Sequence, residues 1–198
     1  FHPGHNIHKK VSILFGQMIH FLNENTSEKY DYLYDQIVCF GELLSTTIVS
    51  EYLNEVGIVN IWKDVRELII TDNVFRDATV DWKETEYIIK KEIDTSQLTI
   101  VQGFIGGDSK GNTTTLGREG SDYTAGVFAY CLDAKYLTIW KDVQGVLNAD
   151  PRVFEETHLL NQISYEETIE MAFYGASVIH PKTIKPIQNK GISLFVRS

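Results

Sequence analysis

Apolar side chains at Ile7, Val11, Leu14, Phe15, Met18, Ile19 and Leu22 recur at the spacing of one helix face, which predicts an amphipathic helix at the start of the chain. The run Gln36 to Phe40 reads as a short buried strand, followed at once by a helix carrying Leu43, Leu44, Ile48, Val49, Tyr52 and Leu53, which Gly57 ends. Further strands are expected at Ile58 to Trp62 and Leu98 to Gly103. Leu68 to Thr71 should be extended before a turn at Asp72-Asn73. Trp82 to Ile93 has helical periodicity, and a long polar loop is expected from Phe104 to Gly120. Ser121 is placed to N-cap a helix reaching Leu132, and Tyr136 to Trp140 reads as a strand before a second loop that runs to Ile163. Ser164 with Glu167 forms a capping box opening a helix that Gly175 ends or bends. Pro181 can start another helix, and Ile192 to Val196 is the last strand.

Short apolar strands alternating with helices predict an α/β fold, a three-layer αβα sandwich around a largely parallel central sheet. No repeat or low-complexity linker marks a domain boundary, so residues 1–198 are read as one unit. In such sheets ligands bind beyond the carboxyl ends of the strands. The loops after Gly103 and Trp140 lie there, and loops of that length usually have a function.

Composition narrows the possibilities. The chain is 43% hydrophobic and 23% charged, and its 18 basic against 27 acidic residues give a net charge of -9. Neither sign is clustered, which argues against a nucleic-acid or anionic-membrane surface. Cys39 and Cys131 sit in apolar runs without a Cys-x-x-Cys pair, as expected of buried free thiols in a reducing cytoplasm. No apolar stretch reaches the roughly 20 residues that span a bilayer, so a soluble, cytoplasmic protein is expected. His2, His5 and His8 are spaced by three, but Pro3 and Gly4 oppose a regular helix and zinc sites need a fuller ligand set, so no metal site is assigned. His180, before Pro181, reads as a capping or packing residue.

The segment Gly103-Phe104-Ile105-Gly106-Gly107 follows a strand and leads through Thr113-Thr114-Thr115-Leu116-Gly117-Arg118-Glu119-Gly120-Ser121-Asp122 into a helix. Glycines let the backbone approach a ligand, and amides at a helix start favour an anion. Arg118 offers a planar fork of donors suited to a carboxylate, and Asp122 in the first turn is favoured by the helix dipole alone. The plainer alternative is a glycine-rich loop capped by Ser121. There is no Walker A pattern and no complete Gly-x-Gly-x-x-Gly, so a bound nucleotide would be held by other means.

The stretch Thr113 to Ala125 resembles the substrate loop of aspartate kinases, within the amino-acid kinase superfamily. Gln102-Gly103-Phe104-Ile105-Gly106, Trp140-Lys141-Asp142-Val143-Gln144-Gly145-Val146, Ala149-Asp150-Pro151-Arg152 and Gly175-Ala176-Ser177-Val178-Ile179-His180-Pro181 extend the likeness. Phe40-Gly41-Glu42-Leu43-Leu44-Ser45 resembles the family's Gly-Glu strand-to-helix turn. The resemblance implies ATP-dependent phosphorylation of the side-chain carboxylate of L-aspartate, giving 4-phospho-L-aspartate, at the head of the pathway to lysine, threonine and methionine. It implies that Arg118 grips the substrate α-carboxylate, that Glu42 faces its ammonium group, and that Phe104 and Ser121 line the same pocket. It also implies that Asp122 orients groups around the transferred phosphoryl, while Asp142, Leu147 and Arg152 face the nucleotide. Mg2+ would be carried mainly by the ATP phosphates, because this hard cation prefers oxygen and keeps several waters. A carboxylate is already a nucleophile, so positioning and cation placement supply most of the catalysis.

The chain also departs from the family. The Lys-Phe-Gly-Gly-Thr-Ser segment that contacts the phosphates is not in it, and ACT-type regulatory domains would follow its end. A catalytic domain trimmed at both ends, itself without turnover, from a homo-oligomeric parent is therefore the expectation. Ser177 stands where many members carry a lysine, and Lys141 where a small hydroxyl residue is common. Lys141 either replaces the missing charge or is a solvated surface lysine. Leu147 stands where an aromatic residue is frequent, though leucine can still cover a purine face. Competing readings are another amino-acid kinase, of glutamate or uridylate type, and a ligand-binding fragment without catalysis.

Overall fold

The computed structural model describes residues 1–175 and 178–198, which form two compact units, Phe1–Ser121 and Asp122–Ser198. The first unit contains α1 (Asn6–Glu24), α2 (Tyr30–Glu55), β1 (Ile61–Trp62), a 3-10 turn (Val65–Glu67), β2 (Ile70–Thr71), α3 (Trp82–Glu92), β3 (Thr99–Ile100), β4 (Ile105–Asp108) and β5 (Thr113–Thr115). Helix α4 (Gly120–Cys131) leads into the second unit, with β6 (Tyr136–Trp140), α5 (Tyr165–Phe173), α6 (Pro181–Asn189) and β7 (Ser193–Arg197). β1 pairs with β3, β2 with β4 and β6 with β7, all parallel, while β4 and β5 are antiparallel. The expected α/β class with parallel-rich sheets is therefore present.

Local signals account for many of the elements. The Asp81 side chain accepts the Glu84 N–H at the start of α3, Ser164 and Glu167 complete the capping box of α5, and His180 caps α6 with Pro181 in its first turn. In the second unit Ile139, Ile179 and Ile184 form one buried cluster and Ala129, Ile187 and Ile192 another, so α4 and α6 close over the β6–β7 pair. Cys39 and Cys131 are both buried and are not joined in a disulfide. In α1 only Ile7 is fully buried, and Ile13, Phe15, Ile19 and Leu22 remain largely exposed.

Three expectations are corrected. Gln36 to Phe40 is not a strand but part of the 26-residue helix α2. Its buried positions Asp35, Cys39, Leu43, Thr47 and Ser50 keep helical spacing, while Ile37 and Val38 are half-buried beside that stripe. The apolar arc is wide enough to look continuous in sequence. Gly41-Glu42 therefore lies in mid-helix rather than at a strand-to-helix turn. The supposed loop Phe104 to Gly120 contains the hairpin β4–β5, with Ile105 opposite Thr115. Its turn is held by the Asp108 carboxylate, which accepts the N–H groups of Lys110 (2.9 Å) and Asn112 (2.8 Å). Ser121 is the second residue of α4, not its cap.

The hairpin hid because its residues are glycines and threonines rather than large apolar side chains. A Cβ on Gly107 would lie 2.3 Å from the Arg66 carbonyl oxygen, so this glycine serves strand packing rather than approach to a ligand. The outer edge of β5 is closed by α2. Gln36 Nε2 donates to the Thr113 carbonyl (2.7 Å) and its Oε1 accepts the Thr113 N–H (3.0 Å), as a neighbouring strand would. Asp35 Oδ2 accepts the N–H groups of Thr115 (2.8 Å) and Arg76 (2.9 Å), and Oδ1 accepts the Thr115 hydroxyl (2.9 Å).

Asp35→Ala should lower stability by about 3 kcal/mol or more, because it strands buried donors. Asp35→Asn, which can satisfy the same groups, should stay within about 1 kcal/mol of wild type. Urea unfolding midpoints at constant slope measure both. Burial holds the Asp35 carboxyl above its usual range despite its hydrogen bonds. A raised folded-state pKa adds stability at low pH that is lost as pH rises through it, so wild type should gain on Asp35→Asn upon acidification.

Candidate functional site

In the first unit, α2 and the end of β3 are joined by a buried polar chain. Gln102, fully buried, accepts the Val65 N–H (2.8 Å) and donates to Thr46 Oγ1 (2.9 Å). Thr46 Oγ1 also receives the Trp62 indole N–H (3.0 Å) and donates to the Glu42 carbonyl (2.8 Å). One turn of helix, carrying Glu42, is thus fixed against the residues that lead into Gly103. Burial pushes the Glu42 carboxyl above its usual range, against a smaller lowering from the nearby Gly103 backbone N–H.

Gly103 also brings Ser121 close: a Cβ there would stand 2.8 Å from Ser121 Cβ. Phe104 adopts a left-handed backbone, φ 71°, rare and costly for a bulky residue. Its carbonyl accepts the Leu116 N–H (2.8 Å), and a Cβ on Gly120 would lie 2.7 Å from the Phe104 ring. Glu42, Phe104 and Ser121 are therefore assembled around Gly103. The strained turn persists because Gly103 and Gly120 leave room for it.

Arg118 follows on the same connection, between Gly117 (φ 77°) and Glu119 (φ 52°). It is exposed and forms no hydrogen bond or ion pair among the described residues. The preceding threonines face inward instead. Thr114 Oγ1 meets Thr71 Oγ1 at 2.7 Å, Thr113 Oγ1 accepts from Arg66 (3.2 Å), and Thr115 serves Asp35. Of this motif, the open donor is Arg118. Gln102 and Thr46 were missed as positioning residues; a lone glutamine closing an apolar strand was the one hint in the sequence.

In the second unit Asp122 lies in the first turn of α4, where the helix dipole favours its charge. Lys141 follows the last residue of β6 and is held to β7 by its backbone N–H to the Arg197 carbonyl (2.8 Å). Its ammonium lies 2.8 Å from Asp122 Oδ2 and 2.6 Å from the Val178 carbonyl, with side-chain exposures of 19% for Lys141 and 16% for Asp122. The pair is a close electrostatic contact whose angle is not that of a hydrogen bond, leaving Asp122 Oδ2 buried without one.

The same unit contains a cavity of about 1000 Å³, lined among others by Val143, Leu147, Asp150, Arg152, Met171 and Val178; Asp122 and Lys141 are not in its wall, and the Val178 carbonyl is the contact between the pair and the wall. Its volume is at the upper end of small-molecule sites. Leu147 and Arg152 thus share one wall. Arg152 folds bidentately onto Asp150, Nη2 to Oδ2 2.8 Å and Nε to Oδ1 3.1 Å, which holds the Asp150 carboxyl below its usual range. Asp142 is exposed and lies outside the cavity wall. Ser177 lies outside the described residues.

The model of the amino acid kinase family matches residues 4–198. The chain is 40% identical over 169 residues to lysine-sensitive aspartokinase 3 of Escherichia coli, covering 84% of this chain and 38% of that protein. It is 38% identical over 164 residues to the bifunctional aspartokinase/homoserine dehydrogenase of Buchnera aphidicola, covering 82% and 20%. A crystal structure of E. coli aspartokinase III in complex with aspartate and ADP superimposes with a TM-score of 0.89 at 36% identity, over 97% of this chain and 44% of that one. The chain therefore spans less than half the length of these relatives. Both the family match along nearly its whole length and this superposition lead to one assignment: the chain belongs to the amino acid kinase family.

Proposed function

We propose that this chain is the larger part of the catalytic domain of an aspartate kinase, which transfers the terminal phosphoryl group of ATP to the side-chain carboxylate of L-aspartate. The observation that carries this reading is the open guanidinium of Arg118 on the turn that leads into Ser121, in a unit that also assembles Glu42, Gly103 and Phe104. A guanidinium fork suits an α-carboxylate, and a half-buried carboxylate suits an ammonium group. The likeness to an aspartokinase bound to aspartate and ADP supports the same substrates here.

Asp122 and Lys141 pair a carboxylate with a cation in the same unit as the cavity whose wall contains Leu147 and Arg152, where a nucleotide would lie. Binding and orientation are the work of these residues, because the acceptor carboxylate attacks without a general base. No group of three or more His, Cys, Asp or Glu side chains among the described residues could hold a metal ion. Asp122, a half-buried carboxylate of the second unit, already faces an ammonium, which makes it a poor ligand for a resident Mg2+ ion. Mg2+ enters as the companion of the ATP phosphates. A cytoplasmic setting fits two buried cysteines that are not joined in a disulfide. No helix among the described residues is long and apolar enough to cross a membrane.

Arg118→Lys should weaken L-aspartate binding about tenfold or more while leaving ATP binding within about twofold, since lysine lacks the bidentate fork. Calorimetric titration of the chain with each ligand decides this, and equal losses would count against the assignment. Asp122→Asn should depress aspartate-dependent ATP consumption about a hundredfold in the longest natural polypeptide containing these residues. Its unfolding free energy should fall by less than about 2 kcal/mol. A variant that kept its rate but lost stability would make Asp122 a structural residue.

A further inference from the structure

We propose that the segment Arg76-Asp77-Ala78 is the positioning element of the substrate carboxylate site: fastened by Asp35 and packed against Gly117, it holds the turn from which Arg118 reaches an α-carboxylate. This rests on the reading of Arg118 above and names what keeps that residue in place. The Arg118 side chain has no hydrogen bond or ion pair among the described residues, so its position is set by the backbone that carries it. That backbone is a tight turn, closed by the Gly120 N–H on the Gly117 carbonyl (3.2 Å), with Gly117 and Glu119 both in the left-handed region. A turn of this kind persists only where its surroundings hold it.

On one side the Phe104 carbonyl accepts the Leu116 N–H. On the other side lies the segment from Arg76 to Ala78. A Cβ on Gly117 would stand 2.6 Å from Asp77 Oδ1 and 3.3 Å from the Arg76 carbonyl oxygen, so the two stretches touch with no room for a side chain between them. The Ala78 N–H donates to the Thr115 carbonyl (2.9 Å), two residues before Gly117. Arg76 itself has φ 70°, a costly conformation for a residue with a Cβ. Its N–H donates to Asp35 Oδ2 at 2.9 Å, and the same oxygen accepts the Thr115 N–H at 2.8 Å. One oxygen of a fully buried carboxylate therefore fastens both the supporting segment and the strand that runs into the turn. At the surface the Arg76 guanidinium lies over the rings of Tyr34 (4.9 Å) and Tyr30 (5.6 Å) and pairs with Asp31 (3.2 Å), which ties its outer end to α2 as well. These groups act through the place of Arg118, so Asp35 and Asp77 are positioning rather than catalytic residues.

Steady-state turnover of the longest natural polypeptide containing these residues, with L-aspartate and ATP varied in turn, tests the proposal, with thermal unfolding recorded for each variant. Asp35→Ala should raise the KM for L-aspartate about tenfold and leave the KM for ATP within about twofold, and Asp35→Asn, which can satisfy the same groups, should recover most of the loss. Gly117→Ala should show the same split, because its Cβ would meet Asp77 Oδ1, and adding Asp77→Ala to it should recover part of the loss. Gly117→Ala and the double variant decide the matter should Asp35→Ala not fold. A merely structural role would lower the unfolding temperature and leave the two KM values in their wild-type ratio. That result, or an unchanged KM for L-aspartate in the folded variants, would overturn the positioning role while leaving the aspartate reading intact. A wild-type protein whose ATP consumption did not depend on L-aspartate would overturn both.

Discussion

Two side chains of α2, Asp35 and Gln36, take the place of a strand along the edge of β5, and the arrangement of the first unit follows from that substitution. A three-residue strand with one neighbour would expose its remaining N–H and C=O groups. Here Gln36 pairs with both backbone groups of Thr113, and Asp35 with the N–H and hydroxyl of Thr115. These bonds join residues 77 and 80 positions apart, so they fix α2 over the hairpin rather than merely decorating it. Roughly two and three helical turns farther along, α2 presents Glu42 and Thr46, and the Thr46–Gln102 contact ties that part of the helix to the segment just after β3. The same hairpin delivers the chain to Leu116 and Arg118. A single pairing therefore sets both the carboxylate turn and the guanidinium turn of the proposed substrate site.

The second unit achieves its arrangement by other means. The parallel pair β6–β7 is covered by α4 and α6, whose buried Ala129, Ile184 and Ile187 need no polar partner. Its notable polar feature is electrostatic, a lysine drawn between the Asp122 carboxylate and the Val178 carbonyl. Burying such a charge is costly unless it is paired, and both partners meet that need while holding the ammonium in a defined place.

Much of this was legible in the sequence wherever one stretch contained its own reason. Tyr136 to Trp140 is read as a strand and is one; Ser164 and Glu167 cap each other; His180 and Pro181 start α6. The identities of Glu42, Phe104, Arg118 and Ser121 as a group were legible by resemblance, and three of them do meet around Gly103. What was not legible depends on distant partners. Gln36 to Phe40 looks like a strand because the wide buried arc of α2 erases helical periodicity, and Thr113 to Thr115 looks like a loop because its stabilising partners lie on a helix far earlier in the chain. Spacing alone could not distinguish a solvated Lys141 from a half-buried, paired one. The contacts with Asp122 and Val178 do.

The central claim is that these residues serve phosphoryl transfer to the side-chain carboxylate of aspartate, and an acyl phosphate is the product that distinguishes this reaction from its neighbours. Hydroxylamine trapping measures it directly in the longest natural polypeptide containing this chain, supplied with ATP, Mg2+ and either L-aspartate, L-glutamate or uridine monophosphate. The account predicts hydroxamate formation with L-aspartate, little with L-glutamate, and no ADP release driven by uridine monophosphate. Preferential turnover of L-glutamate or uridine monophosphate would contradict it.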